Sequence, residues 1–511
     1  LSRMIHRINV ILQNDEIRMI EAEDNETILN AMARHGIFYP SACGGRGTCG
    51  KCKVMVLEGN IIATPEDYRS FTEQELQQAY RLSCKAKVKG ELTIKLLAPE
   101  ETGMEVLSNS MRKVRSVLNP LQYYIAIDLG TTTIVVTLID SVGNNLATFT
   151  SINPQRSYGA DVISRINISN KGKKHELMEM IRKTIRDGIL AVIQKAVVEA
   201  GKVKRVAIAG NTTMVHLYMG YSCTGLGTYP FQPVNIGFIE DSLEGIDAIP
   251  VTLLPGITTF VGGDIVSGLA VCGFHRKEEP CLLIDLGTNG EMALGNKDKI
   301  LVTSTAVGPA FEGGNLSCGT GSIPGAISHM NIKGNEISYE TIGNKPPIGI
   351  CGTGVIEIIS ELLRVGIIDE TGLLTDAYFE QGYTITEDIK VTQKDIRELQ
   401  LAKAAVRAGV EILASNYGIT LDHISTVYLA GGFGFHLDID KAVHIGLLPP
   451  ELKENIKVIG NSSLSGAISY LTEPNMKEAM QHIVSVSGEI HLSNEPDFNE
   501  LYLQYMSFDN E

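Results

Sequence analysis

Four cysteines near the N-terminus offer the sharpest chemistry in the sequence. The segment CGGRGTCGKC (43–52) and a distant cysteine in RLSCKAKV place Cys43, Cys49, Cys52 and Cys84 at the spacing C-x5-C-x2-C-x31-C. Four thiolates are the ligand set of a [2Fe–2S] cluster, and the plant-type spacing C-x4-C-x2-C…C differs only in its first gap. Gly44, Gly45, Gly47 and Gly50 let the backbone wrap closely around a cluster and aim N–H groups at its sulfurs. A four-cysteine zinc site or a redox-active CGKC pair would use the same residue types. Zinc sites usually set one CxxC against a second, and Cys84 has no such neighbour. The expectation is a cluster held by these four residues.

A second chemistry is written twice. IDLGTTT (127–133) recurs as IDLGTNG (284–290), 157 residues later. A strand ending in Asp, followed by Gly-Thr, presents N–H groups and hydroxyls to phosphate oxygens. Asp128 and Asp285 would then lie beside the β- and γ-phosphates, where a carboxylate holds Mg²⁺ directly or through water. One such hairpin is a common turn. Two of them, with a late LAGGFG (429–434), are expected to bind ATP through Gly130, Thr131, Thr132, Gly287, Thr288, Asn289, Gly431 and Gly432. The set resembles the phosphate-1, phosphate-2 and adenosine motifs of the actin, sugar-kinase and heat-shock chaperone superfamily. That resemblance implies two RNase H-like lobes closing on ATP.

These residues need bodies to position them. The 511 residues suggest about three domains. A hydrophobic share of 44% and a charged share of 20% fit cored, globular domains rather than disorder. Residues 1–98 carry 13 Lys+Arg against 12 Asp+Glu, a net of +1, so with −15 overall the remainder carries −16. That balance argues against nucleic acid as a partner, and no apolar run is long enough to span a membrane. LSRMIHRINV reads as the approach to a strand, not a signal core, and nine cysteines without a disulfide pattern point to the cytoplasm. Residues 1–98 read as a mixed α+β domain, 99–122 as a linker, and 123–275 and 276–511 as two α/β lobes. A long helix is expected over about 174–201.

Some features admit two readings. Asp264 in VGGDIVSG orients water or Mg²⁺, or caps a helix. TAVGPAFEGG (305–314) and GICGTGVIE (349–357) pack against a partner, line the nucleotide site or are plain turns. Cys223, Cys272, Cys281, Cys318 and Cys351 lack ligand spacing and read as buried small hydrophobes. Arg46, Lys51, Lys53, Lys85 and Lys87 form a docking patch for an acidic donor or an ordinary solvated face.

The N-terminal cysteine spacing resembles the adrenodoxin-like branch of the [2Fe–2S] ferredoxins, which have a β-grasp fold. Taken with the hairpins and with AIAGNTTM (207–214), VGGDIVSG (261–268), TAVGPAFEGG, CGTGSIPGAI (318–327) and GICGTGVIE, nearly all of residues 4–511 resembles the ATP-dependent reductive activators of corrinoid proteins. The resemblance implies an enzyme that hydrolyses ATP and passes one electron from its cluster to Co(II), regenerating Co(I) in a methyltransferase system. It also implies a corrinoid protein as partner, a ferredoxin- or flavodoxin-like protein or a reductase as electron donor, and a homodimer. A metabolite kinase with a fused ferredoxin domain is the alternative. Two others are weaker: the activators of radical dehydratases, which bridge a [4Fe–4S] cluster between subunits, and an ATP-gated scaffold.

Overall fold

The computed structural model describes residues 4–12, 16–35, 37, 52–97, 122–159, 161–243, 249–334, 336–431 and 437–508. Cys43, Cys49, Gly432 and the linker residues 99–121 lie outside the described residues. The chain divides into two compact units. One combines the N-terminal residues up to Glu101 with Ile152–Thr184 and Leu217–Thr228; the other holds Thr102–Ser151, Ile185–His216 and Tyr229–Glu511.

The N-terminal sheet contains β1 (Ile5–Ile11), β2 (Ile17–Glu23), β3 (Lys53–Glu58), β4 (Tyr80–Leu82) and β5 (Leu92–Leu96), in the order β2-β1-β5-β3-β4. β1 and β5 run parallel while β1 and β2 form an antiparallel pair, which is the β-grasp arrangement. Alternation in sequence drives it. Ile8 and Val10 on β1, and Leu92, Ile94 and Leu96 on β5, turn one face inward. The helix Ile28–Arg34 covers that face with Ile28, Leu29, Ala31 and Met32, and starts where the Thr27 side chain accepts the Asn30 N–H.

The larger unit repeats one sheet plan. Its first sheet contains β6 (Tyr123–Leu129), β7 (Thr133–Asp140), β8 (Asn145–Ile152), β9 (Val203–Gly210), β10 (Ile239–Ser242) and β11 (Pro250–Leu253), ordered β10-β11-β9-β6-β7-β8. The second contains β12 (Cys281–Leu286), β13 (Gly290–Gly295), β14 (Ile300–Thr305), then β20 (Thr426–Ala430), β21 (Ile456–Gly460) and β22 (Ser487–Glu489), ordered β21-β20-β12-β13-β14-β22. Between β14 and β20 lie a three-stranded sheet of β15 (Ala326–Lys333), β16 (Glu336–Thr341) and β17 (Gly349–Ile350), and a pair formed by β18 (Tyr383–Thr384) and β19 (Lys390–Val391). In both large sheets a strand joins its successor as an antiparallel hairpin and pairs in parallel with a later strand: β6 with β7 and β9, β12 with β13 and β20. This is the RNase H-like plan of actin- and sugar-kinase-like proteins, present twice. Ile125, Ala126 and Ile127 on β6 are all fully buried, as expected for a central strand covered on both faces.

The expected helix over 174–201 is shorter. It ends at Lys195, and Val197 adopts φ +54°, which no helix accommodates. The 25-residue helix Gln393–Tyr417 has clean ends: a Thr392/Asp395 capping box opens it and Gly418, at φ +90°, closes it.

Candidate functional site

Two sites lie in different units. In the N-terminal unit, antiparallel pairing of Lys53 with Leu82 puts Cys52, just before β3, and Cys84, just after β4, at the same end of adjacent strands. The Ser83 N–H donates to the Cys52 carbonyl over 2.8 Å, and the Leu29 N–H donates to the Ser83 carbonyl over 3.0 Å, so the helix ties this corner down. Both thiols are buried, Cys52 completely. Ser83 is fully buried as well, and its Oγ has no hydrogen-bond partner. Buried thiols beside an orphaned hydroxyl fit a sulfur-rich group better than a packed apolar corner. Cys43 and Cys49 lie outside the described residues. Of the expected basic patch, Lys53 pairs with Glu75 and stacks over Tyr80, and Lys85 lies 3.9 Å from Glu66. Those pairings favour an ordinary surface.

In the larger unit the two repeated hairpins form as expected. The Gly130 N–H donates to the Thr133 carbonyl over 3.0 Å and the Gly287 N–H to the Asn289 carbonyl over 2.9 Å, tightening each turn. A side chain on Gly130 would begin 2.6 Å from the Thr133 carbonyl oxygen, so only glycine fits. Gly431, at φ +93°, sits where any Cβ would be 2.9 Å from Asp285 Oδ1, bringing the third Gly-rich turn against the second hairpin.

Four carboxylates share this site. Burial raises Asp128, partly offset by hydrogen bonds from Ser463 and Asn461; burial and the Asp128 charge push Asp264 up to about 7; burial with Asp264 and Asp128 pushes Asp285 up to about 7. Glu291 is raised well above the usual carboxylate range by burial and the charges of Asp264 and Asp285. Mutual repulsion of this kind is relieved by a cation. Among the described residues no three His, Cys, Asp or Glu side chains form a group that could hold a metal ion directly.

Several members of the site carry little signal in the sequence. Glu291 faces Asp285 across the hairpin, as the register Asp285↔Glu291 dictates; the short turn between them was the available signal. Asn461 donates Nδ2–H to Asp128 Oδ2 over 2.8 Å and Ser463 donates Oγ–H to Asp128 Oδ1 over 2.7 Å. Asn211 donates Nδ2–H to Thr131 Oγ1 over 2.8 Å. Asn211 and Asn461 stand in matching phrases, GNTT and GNSS, and each Oδ1 also accepts a backbone N–H at the start of the following helix. That repeat was legible. Glu312, in TAVGPAFEGG, accepts hydrogen bonds from both Thr132 and Thr288, each over 3.1 Å.

Asp264 does not cap its helix: Gly262 holds the cap position, and Asp264 lies in the first turn of Gly263–Cys272. The glycines of GICGTGVIE serve packing, since a Cβ on Gly352 would sit 1.8 Å from the Phe311 carbonyl oxygen and one on Gly354 2.0 Å from that of Ile327. Of the five other cysteines, Cys223, Cys272, Cys281 and Cys351 are buried and Cys318 is partly exposed.

The site and fold define a two-lobed ASKHA nucleotide-binding protein joined to a [2Fe–2S] domain. Residues 11–89 match the 2Fe-2S iron-sulfur cluster binding domain, 123–277 the RACo middle region, and 279–511 the C-terminal domain of RACo, the ASKHA domain. The corrinoid activation enzyme RamQ of Eubacterium limosum is 35% identical over 422 residues, covering 76% of this chain and 70% of that protein. A [Co(II) methylated amine-specific corrinoid protein] reductase of Methanosarcina barkeri is 26% identical, covering 76% and 77%. The solved structure of a reductive activator for corrinoid, iron-sulfur protein superposes with a TM-score of 0.70 at 27% identity, covering 98% of both chains. The chain belongs to the RACo family. Its cofactors are accordingly a [2Fe–2S] cluster and ATP with Mg²⁺.

Two predictions arise here. Anaerobically purified protein should carry about two irons and two sulfides per chain and give the EPR signal of a one-electron [2Fe–2S] centre when reduced; stoichiometric zinc without labile sulfide would contradict it. The second concerns pH. Asp264 and Asp285 hold protons in the folded state up to about pH 7, whereas unfolded carboxylates release them near 3.8. The metal-free fold therefore binds more protons than the unfolded chain across that window, and these groups make it lose stability as pH rises from about 4 to about 7. A Mg²⁺ ion bound beside them would offset the charge that appears. The rise in Tm on adding Mg²⁺ should be larger at pH 8 than at pH 5.5, as scanning calorimetry would read; an equal rise would remove the carboxylates as the cation site.

Proposed function

We propose that this protein couples ATP hydrolysis to one-electron reduction of a corrinoid protein, returning its cobalt from Co(II) to Co(I). The [2Fe–2S] cluster supplies the single electron. Cys43, Cys49, Cys52 and Cys84 hold it. Asp128 and Asp285 hold Mg²⁺ through water, and the Gly/Thr turns of both hairpins with Gly431 and Gly432 hold the nucleotide. One observation carries the reading: a chain with two buried thiols at the corner of a β-grasp sheet also has both phosphate hairpins gathered around four carboxylates. The names of the relatives support it, since they act on corrinoid proteins.

Energetics give the two halves a reason to be joined. Plant-type clusters lie near about −400 mV, and each ~59 mV of uphill one-electron transfer costs about 1.4 kcal/mol. A cobalt couple more negative than the cluster needs a second source of free energy. ATP supplies it if the nucleotide-bound form favours a complex in which the cobalt ligation, and with it the potential, has changed. A ferredoxin- or flavodoxin-like protein or a reductase recharges the cluster, the active species is a homodimer, and the setting is the cytoplasm. Among the described residues no helix is long and apolar enough to cross a membrane.

The test is an anaerobic assay of purified Co(II) corrinoid protein with this protein, ATP and a reductant. Loss of the Co(II) spectrum supports the proposal. Phosphorylation of a small metabolite with cobalt untouched would transfer the function to the fused-kinase alternative.

A further inference from the structure

Glu312 holds a position that nucleotide binding alone does not explain. It closes the short 3-10 turn Pro309–Glu312, which is flanked by Gly308 at φ +76° and Gly313 at φ +72°. A side chain on Gly313 would begin 1.8 Å from the Thr320 carbonyl oxygen, so the turn follows a path only glycine permits. That path delivers one carboxylate oxygen, Oε2, to the hydroxyls of Thr132 and Thr288, one from each phosphate hairpin, at 3.1 Å from both. The other oxygen, Oε1, accepts no hydrogen bond among the described residues. It lies 3.6 Å from where a side chain on Gly287 would start, so the absent side chain leaves room beside it, directly over the second hairpin.

A carboxylate with one oxygen anchored and the other open toward the phosphate turns is arranged as a general base. The other acids are less suited. Both oxygens of Asp128 already accept hydrogen bonds, from Asn461 and Ser463. Asp264, Asp285 and Glu291 are buried and repel one another.

We propose that Glu312 accepts the proton of the water that attacks the γ-phosphate of ATP. Oε1 takes that proton as the water oxygen bonds to the γ-phosphorus. The bond from that phosphorus to the β,γ-bridging oxygen breaks, and its electron pair leaves on ADP. Glu312 then returns the proton to phosphate or solvent. The two threonine hydroxyls fix the carboxylate relative to both hairpins, so the base is in place only when both lobes contribute their turn. This rests on the reading that the hairpins bind ATP.

The test compares wild type, E312Q and E312D for steady-state ATP turnover and for MgATP affinity measured by calorimetry. E312Q should lose at least about 100-fold in kcat while binding MgATP within about threefold of wild type. E312D, which keeps the carboxylate on a shorter stem, should fall at least about tenfold with affinity kept, and it carries the test should E312Q not fold. Turnover of E312Q within about threefold of wild type would overturn the proposal. So would a loss of turnover matched by an equal loss of affinity, which would make Glu312 a positioning residue for nucleotide. Those results leave ATP-dependent Co(I) formation by the wild type intact. Failure of the wild type to bind MgATP would instead overturn the nucleotide reading and this proposal with it.

Discussion

Replacing Asp128 or Asp285 with alanine is expected to cut ATP turnover by roughly 10²-fold or more, about 2.7 kcal/mol of transition-state stabilisation. The two residues lie next to last in β6 and β12, one in each copy of the repeated sheet plan. Removing either takes away a fixed negative charge that a Mg²⁺ shell must lean on, while Asp264 and Glu291 remain. The fold should survive, because a metal-free enzyme is relieved of repulsion by losing one of four crowded acids. In the alanine variants the visible spectrum of the cluster should be unchanged, since its cysteines belong to the other compact unit. An unchanged ATPase rate in both variants would remove the hairpins as the nucleotide site.

A second substitution should separate the two halves of the function. Cys49→Ser is expected to abolish electron delivery, because a hydroxyl is a poor substitute for a soft thiolate ligand. ATP hydrolysis and partner binding should persist near wild-type rates. Conversely, a hairpin variant should accept an electron from a chemical reductant, bleaching its cluster, yet stall before cobalt. Anaerobic absorbance traces of cluster and corrinoid, recorded with a parallel phosphate-release assay, check both statements. A Cys49→Ser protein that still reduces cobalt would show that the electron does not pass through these ligands.

What the sequence revealed, and what it hid, follow from how local each interaction is. The cysteine spacing and the two IDLGT hairpins were legible because ligand sets and phosphate turns are built from residues near one another in the chain. Glu291 is almost as local; a hairpin of known turn length places it opposite Asp285, and the register could have been counted. Asn461 and Ser463 reach Asp128 across 333 and 335 residues, so only the paired phrases GNTT and GNSS hinted at them. Glu312 is harder still. Its two partners, Thr132 and Thr288, come from different lobes, and the turn that brings it there reads as one more Gly-rich loop. Asp264 was ambiguous because an acid near a helix start serves as cap or as first-turn charge equally well; the backbone at Gly262 decides it.

The central claim is that ATP drives an electron uphill onto cobalt. It is tested most directly by following the Co(I) absorbance band of a purified corrinoid protein under anaerobic conditions. The assay contains this protein and a strong reductant, with and without MgATP. The account predicts that the Co(I) band grows only when MgATP is present and that ADP appears alongside it. Co(I) forming equally well without ATP would contradict it.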